Sequence, residues 1–131
     1  MTEIVPIDQL SDVARALKLT FDTGDRGPWE DLMAPECVNW HNSDKRVFRS
    51  IGSNGTAALR SAVVNCRADV VQAERFENGG ELISLIIRGT VSATGKELAA
   101  HNCVVVTKDD AGKIVRIDDY VDPGLGDAFE P

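Results

Sequence analysis

A histidine and an aspartate stand in two short stretches of this chain from which they could do proton-transfer chemistry. His41 lies in "VNWHN" and Asp119 lies in "RIDDYVDP". A carboxylate next to an imidazole orients the ring and favours its charged form, whereas burial opposes charge on both groups. If the fold brings the two side chains together, they could move a proton or activate a water molecule. Asn39 and Asn102 could then form hydrogen bonds with a substrate oxygen or with that water.

The pattern around Asp119 places this carboxylate on the apolar face of a predicted strand. Side chains alternate across a strand. One face of the last predicted strand consists of Val115, Ile117, Asp119 and Val121. An unpaired buried carboxylate costs several kcal/mol, so Asp119 needs a hydrogen-bond donor, a water-lined cavity or a raised pKa. Asp118 and Asp122 belong to the opposite face, and we expect them to be solvated.

The neighbouring strands supply apolar side chains and one further polar group. Their inner faces consist of Ile83, Leu85, Ile87, Gly89 and Val91, and of Leu98, Ala100, Asn102, Val104 and Val106. The first strand can be interpreted in two ways, because Asn39 and His41 alternate with Val38 and Trp40. Burial preference puts Val38 and Trp40 inside and leaves Asn39 and His41 at the surface.

Three helices are predicted before the main strands. Apolar residues at helical spacing run from Leu10 to Phe21, with Asp8 as the predicted N-cap and "DTGD" as the end. "GPWEDLM" predicts a short second helix, with Pro28 at its first position. "GTAALRSAVVNCRA" predicts the third helix.

Strands joined by short turns follow these helices. "ECVNWHNS" predicts a short strand before the third helix, and the long strands are "DVVQAERF", "ELISLIIRGTVSAT", "ELAAHNCVVVT" and "IVRIDDYV". The turns "ENGG", "ATGK" and "KDDAGK" are too short for parallel crossovers, so they favour an antiparallel sheet and an α+β fold class. "SDKRVFR" and the tail "DPGLGDAFEP" are predicted to be loops, and residues 1–131 are predicted to form a single domain.

Composition and charge exclude several classes of partner. The 131 residues carry a formal net charge of -7, which argues against nucleic acid. We expect no membrane association, because no apolar run is long enough to span a bilayer, and no signal peptide, because the N-terminus lacks a basic and an apolar segment.

Cys37, Cys66 and Cys103 are predicted to be buried free thiols, which suits a reducing, cytoplasmic location. No metal-ligand spacing and no phosphate-binding glycine motif is present, so we predict no metal and no cofactor.

The stretches "FDTGDRGPWEDLMAPECVNWHN", "GSNGTAALRSAV" and "DDAGKIVRIDDYVDP", together with the order of the elements, carry a resemblance to a known superfamily. The chain resembles the nuclear transport factor 2-like superfamily, which includes SnoaL-like polyketide cyclases, ketosteroid isomerases and limonene-epoxide hydrolases. The resemblance implies a cone-shaped, curved and mostly antiparallel sheet wrapped around three N-terminal helices, with an apolar pocket inside. It also implies a homodimer through the outer face of the sheet, and the strand alternation predicts that Trp40, His101 or Tyr120 is partly buried there.

The resemblance also implies roles for individual residues. His41 corresponds to the proton-abstracting aspartate of ketosteroid isomerases and to a water-holding asparagine of limonene-epoxide hydrolases. Asn39 matches a water-holding tyrosine of the epoxide hydrolases, and Asp119 matches their general base in "DYVD". Both Asn39 and His41 would therefore point into the pocket, and Val38 and Trp40 would point outward.

Departures from these relatives prevent either named reaction from being carried over whole. The oxyanion-hole tyrosine of the isomerases falls at Leu17, and their second oxyanion acid falls near Cys103 or Val104. The Arg-x-Asp of the epoxide hydrolases falls near Leu85 and Ile87, so two of the three charged members of that triad are missing.

The sequence thus predicts a cofactor-free isomerase, cyclase or hydrolase that acts on a small apolar organic molecule. His41 and Asp119 are the predicted catalytic pair, and Asn39 and Asn102 are predicted to bind substrate or water. The predicted apolar walls of the substrate site are Leu17, Leu85, Ile87, Val104 and Ile117. The alternative is a non-catalytic module that binds an apolar ligand or serves dimerisation, because folds of this kind host many functions.

Overall fold

The helices precede a long run of strands, because the spacing of apolar residues changes from the helical period to alternation in the middle of the chain. A computed structural model describes residues 3–53 and 55–131. The helices are α1 (Asp12–Thr23), α2 (Gly27–Asp31) and α3 (Gly55–Ala62). The strands are β1 (Met33–His41), β2 (Val47–Arg49), β3 (Val63–Arg75), β4 (Glu81–Val91), β5 (Glu97–Lys108) and β6 (Ile114–Tyr120). Short 3₁₀ helices span Ile7–Gln9 and Pro123–Phe129.

The six strands form one curled sheet that does not close, in the order β2-β1-β6-β5-β4-β3. β3 to β6 pair in succession and antiparallel, as their short turns require. β1 pairs in parallel with β6, and β2 pairs antiparallel with the other edge of β1. The predicted α+β class with a curved, mostly antiparallel sheet is therefore confirmed. The helices that this structure describes are all too short or too polar to cross a membrane.

Helix α1 begins and ends at residues with clear capping chemistry. The Ser11 hydroxyl accepts a hydrogen bond from the Ala14 N–H at 3.1 Å, and Gly24 closes the helix at φ 82° with its N–H donating to the Thr20 carbonyl. The predicted N-cap, Asp8, was wrong, because Asp8 lies in the separate 3₁₀ turn that precedes Ser11. The apolar face of α1 packs against β3.

The third helix is shorter than its apolar spacing predicted. α3 ends at Ala62, and the chain continues directly into β3, where Val63 pairs with Val91 of β4. The prediction that the helix extends to Ala68 was therefore wrong. Val63 and Val64 are β-branched, which suits a strand, and the gain from pairing with β4 outweighs the local helical pattern.

Two segments predicted as loops have regular structure. Val47–Arg49 forms the edge strand β2, and the tail forms the 3₁₀ helix Pro123–Phe129. Both are too short to carry a periodic signal, and β2 depends on pairing with β1. Cys37 and Cys66 are buried free thiols as predicted, whereas Cys103 is only half-buried.

Among the residues that the structure describes, Glu81 is the one buried carboxylate of the core, and it is paired. Glu81 accepts hydrogen bonds from the Ser11 hydroxyl and from the Lys108 ammonium, which lies 3.2 Å from Oε2. A buried charge is tolerated only with such partners. The cluster fastens the start of α1 to β4 and β5, and so fixes the helix over the sheet.

Gly89 gives a test of the unpredicted junction between α3 and β3. Its φ is +154°, and a Cβ there would lie 2.4 Å from Val63 Cγ1 and 2.8 Å from the Val64 carbonyl oxygen. We expect Gly89→Ala to lower the free energy of unfolding by about 1–3 kcal/mol, because the crowded backbone cannot move away. Urea denaturation measures this loss. Gly126→Ala is the control, since a Cβ there would meet nothing within 4 Å; equal stability losses in both variants would contradict the interpretation.

Candidate functional site

A cavity of about 280 Å³ lies among side chains from all three α-helices, four strands and the tail. This volume is just below the usual range for small-molecule sites, roughly 300–1,000 Å³. The cavity therefore suits a ligand smaller than a typical drug or nucleotide. All nine residues predicted for the site line it, namely Leu17, Asn39, His41, Leu85, Ile87, Asn102, Val104, Ile117 and Asp119.

The registers of three strands bring the polar residues to one wall. In the parallel pair of β1 and β6, Asn39 lies opposite Ile117 and His41 lies opposite Asp119. Val104 of β5 pairs with Asp119 from the other side of β6. Because side chains alternate along each strand, these positions share a face.

The orientation of β1 decides between the two interpretations that the sequence left open. Asn39 and His41 point into the cavity, whereas Trp40 packs edge-to-face on Tyr120 with ring centroids 5.5 Å apart. Tyr120 is exposed, so this pair lies on the outer face of the sheet. The interpretation from burial preference, with Val38 and Trp40 inside, was wrong. A cavity can accept polar side chains on its wall that a filled core would exclude.

His41 and Asp119 are in direct contact. His41 Nε2 lies 3.1 Å from Asp119 Oδ2, and the two side chains are 27% and 21% exposed. The ring of Phe48, in β2, packs edge-on against the imidazole at 5.0 Å between centroids. The imidazole is therefore held between a carboxylate and an aromatic ring, and β2 takes part in fixing its orientation.

The pKa of His41 is raised by this environment. The hydrogen bond to Asp119 favours the charged imidazolium and outweighs the desolvation that opposes it. The charge of Asp119 and that of Asp44 add to the increase, whereas Arg46 opposes it. The pair can therefore hold a proton on His41 at a higher pH than an isolated histidine could.

Several oxygens on this wall lack hydrogen-bond partners. Asp119 Oδ1, Asn39 Oδ1 and Asn102 Oδ1 are buried and accept no hydrogen bond from any residue that the structure describes. Buried polar atoms almost always have partners in folded proteins. A carboxylate oxygen can only accept while it is ionised, so this wall is suited to a ligand or water that donates hydrogen bonds.

Asn42 joins β1 and β6 beyond the last pair of residues in their register. Its side chain accepts from the Val121 N–H at 2.7 Å and donates to the Val121 carbonyl at 3.3 Å, and its N–H donates to the Asp119 carbonyl at 3.2 Å. This clamp lies one residue beyond His41 and fixes its distance from Asp119. The sequence analysis missed it, because a partner 79 positions away leaves no local signal.

The other two aspartates near the end of the chain have different surroundings. Asp118 pairs with Arg116 at 2.9 Å and does not line the cavity, but its side chain is only 21% exposed, so it is less solvated than predicted. Asp122 accepts hydrogen bonds from the N–H groups of Gly124 and His101, and these lower its pKa. Asp122 thus fastens the tail, from which Leu125 reaches the cavity.

The sequence analysis did not place eleven further residues at the cavity. They are Thr20, Phe21, Arg26, Trp29, Ser43, Ser53, Gly55, Thr56, Leu59, Val121 and Leu125. Phe21 stands four positions after Leu17 on the predicted helix face and could have been found, whereas Arg26 lies between two helices without periodic pattern. Among residues 3–53 and 55–131, no three His, Cys, Asp or Glu side chains are grouped as metal ligands.

Solved structures share this architecture at low sequence identity. A nuclear transport factor 2-like protein from Burkholderia thailandensis is 21% identical, with 92% of this chain and 95% of that chain covered and a TM-score of 0.74. A protein with a ketosteroid isomerase-like fold from Catenulispora acidiphila, in complex with trimethylamine, is 12% identical, with 91% and 93% covered and a TM-score of 0.72. A protein described as a SnoaL-like polyketide cyclase from Shewanella denitrificans is 12% identical, with 95% and 98% covered and a TM-score of 0.67.

These likenesses establish the fold and leave the reaction open. Neither a protein-family model nor a curated protein sequence matches the chain. The structural matches show that the chain has the nuclear transport factor 2-like fold that its sequence resembled. The roles of its cavity residues stay predictions.

The raised pKa of His41 can be tested without a substrate. We expect Asp119→Asn to lower that pKa below its wild-type value, because the hydrogen bond to a carboxylate is lost while desolvation remains. An NMR titration of the imidazole Cε1–H measures it. Asp118→Asn is the matched control, because Asp118 pairs with Arg116, and it should leave the pKa of His41 unchanged.

The raised pKa of His41 also determines how the stability of the fold changes with pH. The His41–Asp119 contact stabilises the fold fully below the ordinary histidine pKa of about 6.5, and this contribution is lost as the pH rises through the raised folded value. Urea denaturation at increasing pH, from below about 6.5 to above the raised pKa of His41, should show wild type losing stability relative to Asp119→Asn. A constant difference between the two proteins would contradict the contact.

Proposed function

We propose that this protein is a cofactor-independent enzyme that moves a proton on a small, largely apolar organic molecule. The observation that supports this most directly is the 3.1 Å contact between His41 and Asp119 on the wall of the cavity. Asp119 would act as base or as orienter, and His41 as its acid–base partner. Perturbed ionisable groups in a cleft are typical of catalytic sites.

The geometry suggests how the proton would move. An ionised Asp119 can take a proton from an activated C–H group or from water, with the positive charge of His41 stabilising the pair before the transfer. His41 can then return a proton to the substrate. Asn39 and Asn102 would orient the substrate oxygen or the water from neighbouring strands.

Isomerisation, cyclisation of a polyketide-like chain and epoxide hydrolysis all involve proton transfer, which such a pair could perform. Leu17 supplies no proton where ketosteroid isomerases have a tyrosine, and Leu85 and Ile87 supply no charge where epoxide hydrolases have arginine and aspartate. The enzyme would therefore rely on His41 and Asp119 for the work that several groups share in those relatives.

Ligand binding without catalysis is the second candidate function. The protein from Catenulispora acidiphila holds trimethylamine, so this fold can bind a small molecule. The acceptor-rich wall formed by Asp119 and the two asparagines would suit a ligand with an N–H or O–H donor. Binding of trimethylamine or a small alcohol without turnover of any proton-transfer substrate would favour this candidate.

A nitrobenzisoxazole tests the general base without knowledge of the natural substrate. Ring opening of this small aromatic compound requires only proton abstraction, and absorbance of the phenolate product follows it. We expect wild type to accelerate the reaction and Asp119→Asn to reduce the rate at least about 10²-fold. Asp119→Asn should keep the fold, with stability changed by less than about 1.5 kcal/mol or raised, since a desolvated charge is removed.

Asp118→Asn is the control for this experiment, because Asp118 pairs with Arg116 outside the cavity. It should change neither rate nor stability. A wild-type rate equal to that of buffer would contradict a general base in the cavity. A strongly destabilised Asp119→Asn would assign the residue to structural support of β6.

The proposal includes a homodimer in a reducing, cytoplasmic location. The three cysteines are free, which suits a reducing environment. Trp40 and Tyr120 form an aromatic pair on the outer face of the sheet, and Val47, register partner of Trp40, is exposed. Aromatic side chains of this kind are enriched at interfaces.

Tyr120→Arg tests the dimer. We expect it to convert a dimer into a monomer, because a guanidinium would be buried without a partner in the interface. Sedimentation velocity at micromolar concentration measures the change. Ile7→Arg is the control, since Ile7 is an exposed hydrophobic residue, like Tyr120, but lies in the N-terminal 3₁₀ helix. A monomeric wild type at that concentration would contradict the dimer.

A further inference from the structure

Arg26 is a cation on the cavity wall to which the proton-transfer proposal gives no role. It stands at the start of α2, lines the cavity and has a side chain that is 18% exposed. No other arginine or lysine lines the cavity in the part of the chain that the structure describes. A largely desolvated guanidinium facing an apolar cavity needs a reason, because charge is costly there without partners.

The partners of Arg26 use only part of its hydrogen-bonding capacity. Its Nε–H donates to Glu30 Oε1 at 3.2 Å, and one Nη2–H donates to the Ser50 carbonyl at 3.3 Å. A guanidinium has five N–H donors, so three have no acceptor among the described residues. Both existing bonds are longer than the 2.7–2.9 Å, roughly, of a strong charge-assisted bond.

The pair with Glu30 leaves room for a competing anion. The two residues are i, i+4 neighbours, and the Glu30 side chain is 30% exposed. Partly exposed pairs of this kind contribute little to stability, so a ligand oxygen can join or replace Glu30 at low cost. A carboxylate fits best, because the planar fork of arginine matches its two oxygens.

The other residues of the cavity indicate what kind of ligand could carry such a carboxylate. Phe21, Trp29, Leu59 and Leu85 contribute apolar side chains. With a volume of about 280 Å³, the space suits a compact hydrocarbon body with one small anionic group. The positive charge available on His41, 3.1 Å from Asp119, offsets the repulsion between the Asp119 carboxylate and such a ligand.

We propose that Arg26 binds a carboxylate of the substrate, so that the natural ligand is a small organic acid with an apolar body. This inference rests on the proposed use of the same cavity. It assigns Arg26 to substrate recognition, while proton transfer stays with His41 and Asp119.

Two probes of nearly equal shape test the inference, cyclohexanecarboxylate and cyclohexanecarboxamide. Isothermal titration calorimetry on the full chain measures both affinities. We expect wild type to bind the acid at least about tenfold more tightly than the amide, because only the acid can pair with a guanidinium. Arg26→Gln should abolish that preference and leave binding of the amide nearly unchanged.

Glu30→Gln distinguishes ligand recognition from a structural role. Glu30 competes with the ligand for the same guanidinium, so its removal should strengthen binding of the acid or leave it unchanged. If Arg26 serves only to hold α2 to Ser50 and Glu30, both variants lower the melting temperature and neither changes the ratio of the two affinities. That result would overturn the inference.

Two further variants keep the test decisive. Arg49→Gln is the matched control, because Arg49 is exposed, donates to the Pro35 carbonyl and does not line the cavity. It should preserve the preference for the acid. If Arg26→Gln fails to fold, Arg26→Lys retains the charge without the fork and should show a reduced preference.

Equal binding of acid and amide to wild type, or no binding of the acid at millimolar concentration, would overturn the inference. The nitrobenzisoxazole reaction separates its failure from that of the enzyme proposal. Turnover without preference for the acid would refute only the role of Arg26. Preference for the acid without turnover would refute only the general base.

Discussion

The parallel pairing of β1 with β6 is the constraint on which the site depends. It sets His41 opposite Asp119, and the same register sets Asn39 opposite Ile117. A shift of one residue would turn the histidine to the outer face of the sheet, because side chains alternate along a strand. The Asn42 clamp at the end of the pair and the ring of Phe48 from β2 limit that freedom. A single backbone register thus controls both the proximity and the orientation of the two groups.

The cavity makes this polar wall compatible with a stable fold. Leu85 and Ile87 on β4 bury apolar area beside it, whereas the wall itself leaves oxygens without partners. Charges and dipoles fixed in such a place need no rearrangement when a substrate develops charge, which is the usual origin of catalytic stabilisation. The paired Glu81 in the core shows the contrast, since it has both its partners and no access to the cavity.

Much of the fold and of the site was predictable from the sequence, for identifiable reasons. Long alternating strands with short turns fixed the order of β3 to β6, and Asp119 was recognised because a carboxylate on an apolar face breaks the pattern. Predicting that His41 points into the cavity required the resemblance to the superfamily, because burial preference alone favours Trp40 inside. The end of α3 at Ala62 and the position of Arg26 were not predictable, since each depends on contacts distant in sequence, and the three-residue strand β2 is too short to show a periodic pattern. Local propensity carries no information about such contacts.

The separation of β1 and β6 along the chain also bears on synthesis. Asn42 and Val121, which close the pair, are 79 positions apart. During translation, β1 and its neighbour β2 leave the ribosome while β6, the other neighbour of β1, is still unmade, and contacts of such long sequence separation form slowly. The nascent chain therefore carries an exposed imidazole and an unpaired strand edge until β6 has been synthesised. A ribosome-bound chain stalled before Ile114 lacks the His41–Asp119 contact, so pairing of β1 with β6 and formation of this wall of the cavity are one event.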